Sequence, residues 1–123
     1  MGLYNFQSRF VPFIVSGKKT HTIRARRAHP DKAGNTLHLY QGLRTKAAKL
    51  IKRVECAGVQ QILIWQSKYD SRFLVRIDGD LLDNSECEQL ARRDGFKDFR
   101  EMVAFWDGRL PFEGQIIHWR ELP

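Results

Sequence analysis

Residues 47–66, AAKLIKRVECAGVQQILIWQ, carry the pattern that decides the fold class. Residues 47–56 and 59–66 are both rich in aliphatic side chains, and an Ala-Gly pair separates them. Such short apolar runs are typical of strands, so we predict two consecutive strands here. Apolar and polar residues alternate in residues 36–40, and another apolar segment covers residues 72–77. These two segments are predicted to add strands to the same sheet.

A short helix is predicted before this sheet. Phe6, Phe10, Phe13 and Ile14 recur at spacings of four, three and one, which places them on one helical face. Gly17 is well placed to end the helix. The proline within this segment has to lie in the first helical turn or kink the helix.

Two capped helices are predicted in the C-terminal part of the chain. Ser85 followed by Glu88, and Asp98 followed by Glu101, have the spacing of a capping box. In that motif the first side chain accepts from a free backbone N–H and the glutamate reaches back. Gly95 can end the first helix, and the second is expected to end before the next glycine.

A final strand is predicted at residues 114–120, with Trp119 in the core. The succession of strands, helices and one more strand predicts an α+β domain. We expect its strands to curl into a small barrel with two to three helices packed at the ends. The chain has 123 residues, of which 42% are hydrophobic and 11% aromatic, which fits one folded domain over residues 1–123.

Cysteine usage and hydropathy indicate the cellular context. Cys56 and Cys87 are too few for a disulfide scaffold, and Cys56 is expected to be buried in a strand. No apolar run reaches the roughly 18–20 residues of a membrane span, and the N-terminus lacks a signal-peptide pattern. We therefore expect a cytoplasmic protein with no membrane partner. The sequence leaves the oligomeric state open, with a monomer as the favoured state. The four histidines lack paired spacing and there is no CxxC motif, so we predict no metal site and no cofactor.

Positive charge is concentrated in the first half of the chain. Residues 1–53 hold 12 lysines and arginines against one acid, Asp31, whereas residues 54–123 hold 9 bases and 13 acids. The first half therefore carries +11 and the second −4, which together give the net charge of +7. Such a block attracts polyanions, so RNA, another nucleic acid or a phosphorylated ligand is the expected partner. A solvated basic face with no partner is the alternative.

The segment GKKTHTIRARR, residues 17–27, lies within the basic half. A glycine followed by cations and hydroxyls can form an anion cradle, but the spacing is not that of a P-loop. Lys19 near the Thr22 hydroxyl has a physical route to catalysis, because burial and neighbouring cations lower the pKa of a lysine towards that of a base. On these residues alone, an exposed basic loop without a ligand is an equal alternative.

The spacing Gly17-x-Lys19-x-x-x-x-Arg24 resembles the G-x-K-x-x-x-x-R signature of ASCH domains, small relatives of the PUA RNA-binding fold. Four further segments in the family's order extend the resemblance over nearly the whole chain, namely GNTLHLY at 34–40, DGDLL at 78–82, ARRDGF at 91–96 and FEGQIIHW at 112–119. The resemblance implies a five- or six-stranded barrel with a basic cleft for RNA or a nucleobase.

A bacterial branch of this family hydrolyses the acetyl amide of N4-acetylcytidine with a lysine, a threonine three residues later and a distant glutamate. The resemblance places these roles on Lys19, Thr22 and Asp94, with aspartate where the family has glutamate. It implies that Asp94 returns a proton to the leaving amine, and that Arg24 or Arg26 steadies the oxyanion or a ligand phosphate. Other members are non-catalytic RNA-binding modules, and one is a ribonuclease, so both alternatives stay open.

Residues that would bind the ligand or RNA are predicted around this cleft. They are Lys18, Arg24, Arg26, Tyr40, Arg44 and Lys46. The first three belong to the signature segment, and the others surround a predicted hairpin turn at Gly42. A loop between strands of a basic protein can also carry such residues without binding anything.

Overall fold

A computed structural model describes residues 2–123 as a mixed α+β structure. Seven strands and three α-helices lie within these residues, which confirms the predicted fold class. The strands are β1 (Gly2–Phe6), β2 (His21–Ala25), β3 (Thr36–Gln41), β4 (Lys49–Gln66), β5 (Phe73–Ile77), β6 (Asp80–Leu81) and β7 (Phe112–Glu121). The helices are α1 (Val11–Val15), α2 (Asn84–Arg93) and α3 (Phe99–Trp106), and a 3₁₀ turn, Ser8–Phe10, precedes α1.

Strand β4 organises the sheet because three other strands pair with it. It runs antiparallel to β3, β5 and β7, while β1 lies parallel to β3 and β2 lies antiparallel to β7. The two predicted strands of residues 47–66 are therefore one strand of 18 residues. A bulge between Cys56 and Gly58 shifts its register against β7, and Gly58 has φ +156°, a conformation that favours glycine. A local bulge thus replaces the predicted break between two strands.

Strands β1 and β2 stand at the two ends of the path β1-β3-β4-β7-β2. No backbone ladder joins them within residues 2–123, so the sheet is not closed into a barrel. Arginine side chains span the gap instead. Arg24 Nη2 donates to the carbonyl of Asn5 at 2.5 Å, and Arg27 Nη2 donates to that of Leu3 at 2.7 Å. The same two guanidinium groups lie over aromatic rings of β1, Arg27 at 3.9 Å from the Tyr4 centroid.

The predicted N-terminal helix is wrong for its first part. Phe6 lies in β1, which pairs with β3 through a long-range parallel contact that the local apolar spacing does not reveal. The helix itself covers only Val11–Val15, with the proline in its first turn as expected. Phe10 and Ile14 are buried, whereas Phe13 is 37% exposed. Gly17 follows the helix with φ +81°.

The first capping box is formed by Asp83 and Glu86, two residues before the predicted pair. Asp83 accepts from the Glu86 N–H at 2.8 Å, and Glu86 accepts from the Asp83 N–H at 3.0 Å. Both pairs have the same spacing, so the spacing alone did not distinguish them. Glu88 instead accepts from the Phe99 N–H at 3.1 Å and ties α2 to the start of α3.

The second helix begins as predicted, and the core contains most of the expected residues. Asp98 caps α3 by accepting from the Glu101 N–H at 2.9 Å. Glu101 accepts from the Lys97 N–H at 3.2 Å rather than from Asp98, so only half of the predicted capping box forms. Trp119 and Cys56 are buried in the core, as predicted, and Cys87 is buried on α2. No helix in the described part of the chain is both long and apolar enough to span a membrane.

Candidate active site

A cleft of about 490 Å³ opens where the gap between β1 and β2 meets the segment joining α2 to α3. Its volume is within the range of small-molecule sites, about 300–1,000 Å³. Polar residues in and just after β1, in and just before β2, at the C-cap of α2 and in the turn after α3 face it together with an aromatic wall. The polar lining consists of Asn5, Gln7, Lys19, Thr22, Arg24, Asp94 and Arg109, and the aromatic wall of Phe6, Phe10, Phe96, Phe105, Trp106 and Phe112.

Lys19 and Asp94 meet in this cleft although 75 residues separate them in the chain. Lys19 Nζ lies 2.6 Å from Asp94 Oδ1 and 2.6 Å from the Asp94 carbonyl oxygen. Lys19 is 3% exposed and Asp94 is 6% exposed, so the contact is a buried ion pair rather than a surface one. The geometry therefore brings together two of the three residues that the family resemblance placed in the catalytic group.

The end of α2 explains why Asp94 points at Lys19. Asp94 is the C-cap residue, and Gly95 follows with φ +100°, which an L-residue adopts only with strain. The Gly95 and Phe96 N–H groups then bond back to the carbonyls of Arg92 and Ala91 at 3.1 and 2.9 Å. This turn leaves the Asp94 carbonyl free for the ammonium of Lys19. A cation at this position also complements the negative end of the helix dipole.

His21 contacts the same carboxylate from β2. Its Nε2 lies 3.1 Å from Asp94 Oδ1, and the residue is only 3% exposed. Asp94 thus stands between an ammonium and an imidazole. The sequence analysis did not assign His21 to the site. Strand alternation, which places positions 19 and 21 on one side of an extended chain, was the signal that could have indicated it.

Burial and charge shift the titration of this group. Burial lowers the pKa of Lys19 from its ordinary value, although Asp94 opposes the shift. Burial disfavours the charge on Asp94, but Lys19 and His21 outweigh it and hold the pKa of the Asp94 carboxyl below its usual range. The carboxylate is therefore ionised at neutral pH, and the free amine of Lys19 is more accessible than in an exposed lysine.

Thr22 lines the cleft and is held by Arg24. Arg24 Nε donates to Thr22 Oγ1 at 2.9 Å, and Thr22 is 4% exposed. Because the hydroxyl oxygen accepts from Arg24, its own hydrogen is left to donate elsewhere. The guanidinium of Arg24 is thus committed to Thr22 and to the Asn5 carbonyl of β1. Its position makes it part of the scaffold that orients Thr22.

The other predicted ligand-binding residues do not line the cleft. Lys18, Arg26, Arg44 and Lys46 are exposed, and Tyr40 is half-buried on β3. The loop that carries Arg44 and Lys46 nevertheless reaches the cleft margin, because the Leu43 N–H donates to Asn5 Oδ1 at 2.9 Å. The four exposed cations, Lys18, Arg26, Arg44 and Lys46, therefore lie outside the cleft lining and are called the basic rim below.

Arg109 and the aromatic wall were not predicted as site residues. Arg109 is exposed in the turn after α3, and its Cζ lies 4.6 Å from the Phe105 ring centroid. The aromatic wall was not predicted because its residues come from four separate stretches of the chain. In addition, aromatic residues in capped helices normally indicate core packing rather than a cleft. In the described part of the chain no group of three or more His, Cys, Asp or Glu side chains is arranged to hold a metal ion.

Comparison of the chain with protein-family models, with curated proteins and with solved structures found no match. The functional interpretation therefore depends on the geometry and chemistry of the cleft.

Proposed function

We propose that this chain is an ASCH-type hydrolase that removes the acetyl group of N4-acetylcytidine without a metal ion. The observation that carries the proposal is the buried Lys19–Asp94 ion pair, which shares one cleft with the oriented hydroxyl of Thr22. A lysine whose pKa is lowered by burial and a positioned hydroxyl that lines the same cleft are the kinds of base and nucleophile that amide hydrolysis needs. Within residues 2–123, Lys19 Nζ bonds to Asp94 and not to Thr22 Oγ1. In this interpretation the arginine bridges between β1 and β2 stand where a PUA-like barrel would close.

The shape of the cleft suits a nucleobase. Its aromatic wall offers surfaces for a planar ring, and base–aromatic stacking contributes roughly 1–3 kcal/mol per base. Its volume of about 490 Å³ accommodates a single nucleoside. Arg109 lines the cleft and is exposed, so it replaces Arg24 and Arg26 as the candidate contact for an oxyanion or a phosphate.

The proposed reaction begins with the free amine of Lys19. It takes a proton from the Thr22 hydroxyl, or from a water beside it, and the resulting oxygen nucleophile attacks the acetyl carbonyl. The tetrahedral adduct then loses the cytosine amine, because the C–N bond breaks as the Lys19 ammonium returns its proton to the leaving nitrogen. If Thr22 is the nucleophile, water cleaves the acetyl ester in the same manner. One water is consumed, and cytidine and acetate are formed.

Asp94 positions Lys19 in this scheme and is not itself the acid. Its lowered pKa keeps the carboxylate ionised, so the proton for the leaving amine comes from the Lys19 ammonium. The 2.6 Å contacts fix the position of Lys19 Nζ against the cleft. This assignment differs from the sequence-based expectation, in which Asp94 returned the proton.

Incubation of the purified protein with N4-acetylcytidine, followed by chromatography, tests the proposal. We expect cytidine and acetate in equal amounts, and a loss of at least about 100-fold in rate for Lys19→Met and for Thr22→Val. The exposed neighbours provide matched controls, so Lys18→Met and Thr20→Val are expected to retain the rate. Unchanged N4-acetylcytidine after prolonged incubation would reject the proposal, as would full activity in Lys19→Met.

A non-catalytic RNA-binding domain is the second candidate. The observation that favours it is the basic rim of Lys18, Arg26, Arg44 and Lys46, which lies outside the cleft and would contact phosphates rather than a reacting base. In this case affinity for single-stranded RNA falls steeply between roughly 50 and 200 mM salt, and Thr22→Val has little effect on binding. Binding that does not change with salt would exclude phosphate contacts. Breakdown of a labelled RNA without added metal would instead indicate the ribonuclease alternative.

A further inference from the structure

His21 occupies a position that the proposed reaction has not used. Its Nε2 lies 3.1 Å from Asp94 Oδ1, the same oxygen that Lys19 Nζ contacts at 2.6 Å. All three side chains are more than nine-tenths buried. The contact places His21 Nε2 at ion-pair distance from Asp94, but within residues 2–123 this atom makes no hydrogen bond of acceptable geometry. The buried group therefore consists of one carboxylate between two nitrogen bases.

The charge balance of this group limits which protonation states are stable. A buried charge is costly unless an opposite charge compensates it. One anion, Asp94, compensates one proton held on either Lys19 or His21, and both arrangements leave the group neutral. Two protons leave an uncompensated positive charge, and none leaves an uncompensated negative charge. The group is therefore expected to hold a single proton over a wide pH range.

The surroundings of His21 do not supply another compensating charge. His118 of β7 is its register partner, with ring centroids 5.6 Å apart. Burial, His21 and then Arg93 lower the pKa of His118, so that this ring is neutral at neutral pH, and its Nε2 lies 2.7 Å from Gln60 Oε1. Arg24, on the same strand, is committed to Thr22 and Asn5. Asp94, at the end of α2, is the acid that touches the His21 ring within residues 2–123.

We propose that His21 is a positioning residue that shares one proton with Lys19 through Asp94, so that Lys19 can be a free amine while His21 is an imidazolium. The inference rests on the proposed function, in which Lys19 acts as the base. When the proton leaves Lys19 Nζ and appears on His21 Nε2, Asp94 remains a carboxylate and no charge enters or leaves the group. A lysine paired with a carboxylate alone would have to release its proton to solvent, which leaves a buried anion, or pass it to Asp94, which the lowered pKa of that carboxyl disfavours.

This arrangement has a quantitative signature. While the group holds a single proton, the fraction of Lys19 in the free-amine form depends on the partition between the two bases and not on pH. In His21→Gln, Lys19 has no alternative proton acceptor, and below its midpoint the free-amine fraction falls about tenfold for each pH unit. In a plot of the logarithm of the Lys19 free-amine fraction against pH, wild type is therefore expected to show a plateau on the acidic side, where His21→Gln shows a slope of one.

Nuclear magnetic resonance of the Lys19 Nζ and Cε signals, assigned with Lys19→Arg, measures this fraction without a substrate. In wild type we expect an intermediate Lys19 shift that is constant over the plateau, accompanied by a partly protonated imidazole at His21. In His21→Gln the Lys19 signal should follow one simple titration curve. His118→Gln, which alters the neighbouring ring but not the contact with Asp94, should keep the plateau.

If His21→Gln does not fold, the wild-type titration alone tests the inference, because the Lys19 and His21 signals are both followed in the same protein. A neutral His21 throughout the range in which Lys19 titrates would overturn the inference, as would identical Lys19 curves in wild type and folded His21→Gln. A plateau without any turnover of N4-acetylcytidine supports the proton sharing and rejects only the hydrolase. Turnover whose rate has the same acidic slope in wild type and His21→Gln rejects only the role of His21.

Discussion

Replacing Asp94 with asparagine removes the carboxylate that both Lys19 and His21 contact. The Lys19 ammonium then keeps the Asp94 carbonyl as a partner at 2.6 Å but loses its counter-charge in a site where it is 3% exposed. Removing one member of a buried ion pair costs about 3–5 kcal/mol. We expect a loss of that size in the free energy of unfolding, from a total that is typically about 5–15 kcal/mol for a domain.

Replacing Lys19 instead of Asp94 should lower the free energy of unfolding by less, because Asp94 has a second partner. In Lys19→Met the carboxylate retains His21, which can hold the compensating proton, so we expect a loss of about 1–3 kcal/mol. The double variant should be about 2 kcal/mol more stable than the sum of the two single losses predicts, since neither charge is then left alone. Equilibrium urea unfolding at neutral pH, followed by tryptophan fluorescence, gives all four free energies.

An exposed ion pair of similar length provides the control. Arg120 Nε lies 2.7 Å from Glu55 Oε2, and the Arg120 side chain is 59% exposed. Such surface pairs contribute about 0–1 kcal/mol, so Glu55→Gln should change little. A loss below about 1 kcal/mol for Asp94→Asn would refute the reasoning, and so would losses that simply add in the double variant, because both results would mean that Lys19 is neutral or solvated.

Three further predictions concern stability. The pKa of the Asp94 carboxyl is lowered in the folded state, so its contribution to the free energy of unfolding is fully present above the ordinary carboxyl pKa and is lost as the pH falls through the lowered pKa. Urea midpoints measured from pH 7 to pH 3 should therefore depend less on pH in Asp94→Asn than in wild type. Gly95→Ala combines a φ of +100° with a Cβ only 2.8 Å from Phe10 Cδ1, so its melting temperature should fall clearly further than that of Gly108→Ala, which meets open space at φ +79°. Tyr4→Phe leaves the buried carboxylate of Asp31 without its phenol donor and should lower the free energy of unfolding, measured in urea, by about 1–3 kcal/mol. An unchanged free energy would mean that water replaces the phenol.

Short sequence patterns predicted those strands and helices that are determined by residues close together in the chain. The alternation in residues 36–40 and the cap at Asp98 correspond to β3 and α3 because side-chain periodicity and capping act within a few residues. Strand β1 was missed because its parallel partner is more than 30 residues away in sequence. The break expected near Gly58 is a bulge because β7 continues to pair on both sides of it.

The candidate site was predicted less completely than the fold. Lys19, Thr22 and Asp94 came from the resemblance to a family motif, and only coordinates could show that residues 75 positions apart touch. The contact of His21 with Asp94 and the position of Arg109 in the cleft lining depend on how separate elements pack, which no single stretch of sequence encodes. Arg24 has the cationic character expected of a ligand contact, but two of its donors already bond inside the protein, to Thr22 and to the Asn5 carbonyl.

The arginine bridges also affect how easily a strand of another molecule could pair with β1. An uncovered edge strand is a template for pairing with another chain and for aggregation. On the free side of β1, the carbonyls of Leu3 and Asn5 already accept from Arg27 and Arg24. An incoming strand would have to displace two guanidinium groups that also lie over aromatic rings of β1, and it would bring its own backbone into a strongly positive seam. The arginine bridges thus occupy backbone acceptors of β1 that an added strand would need.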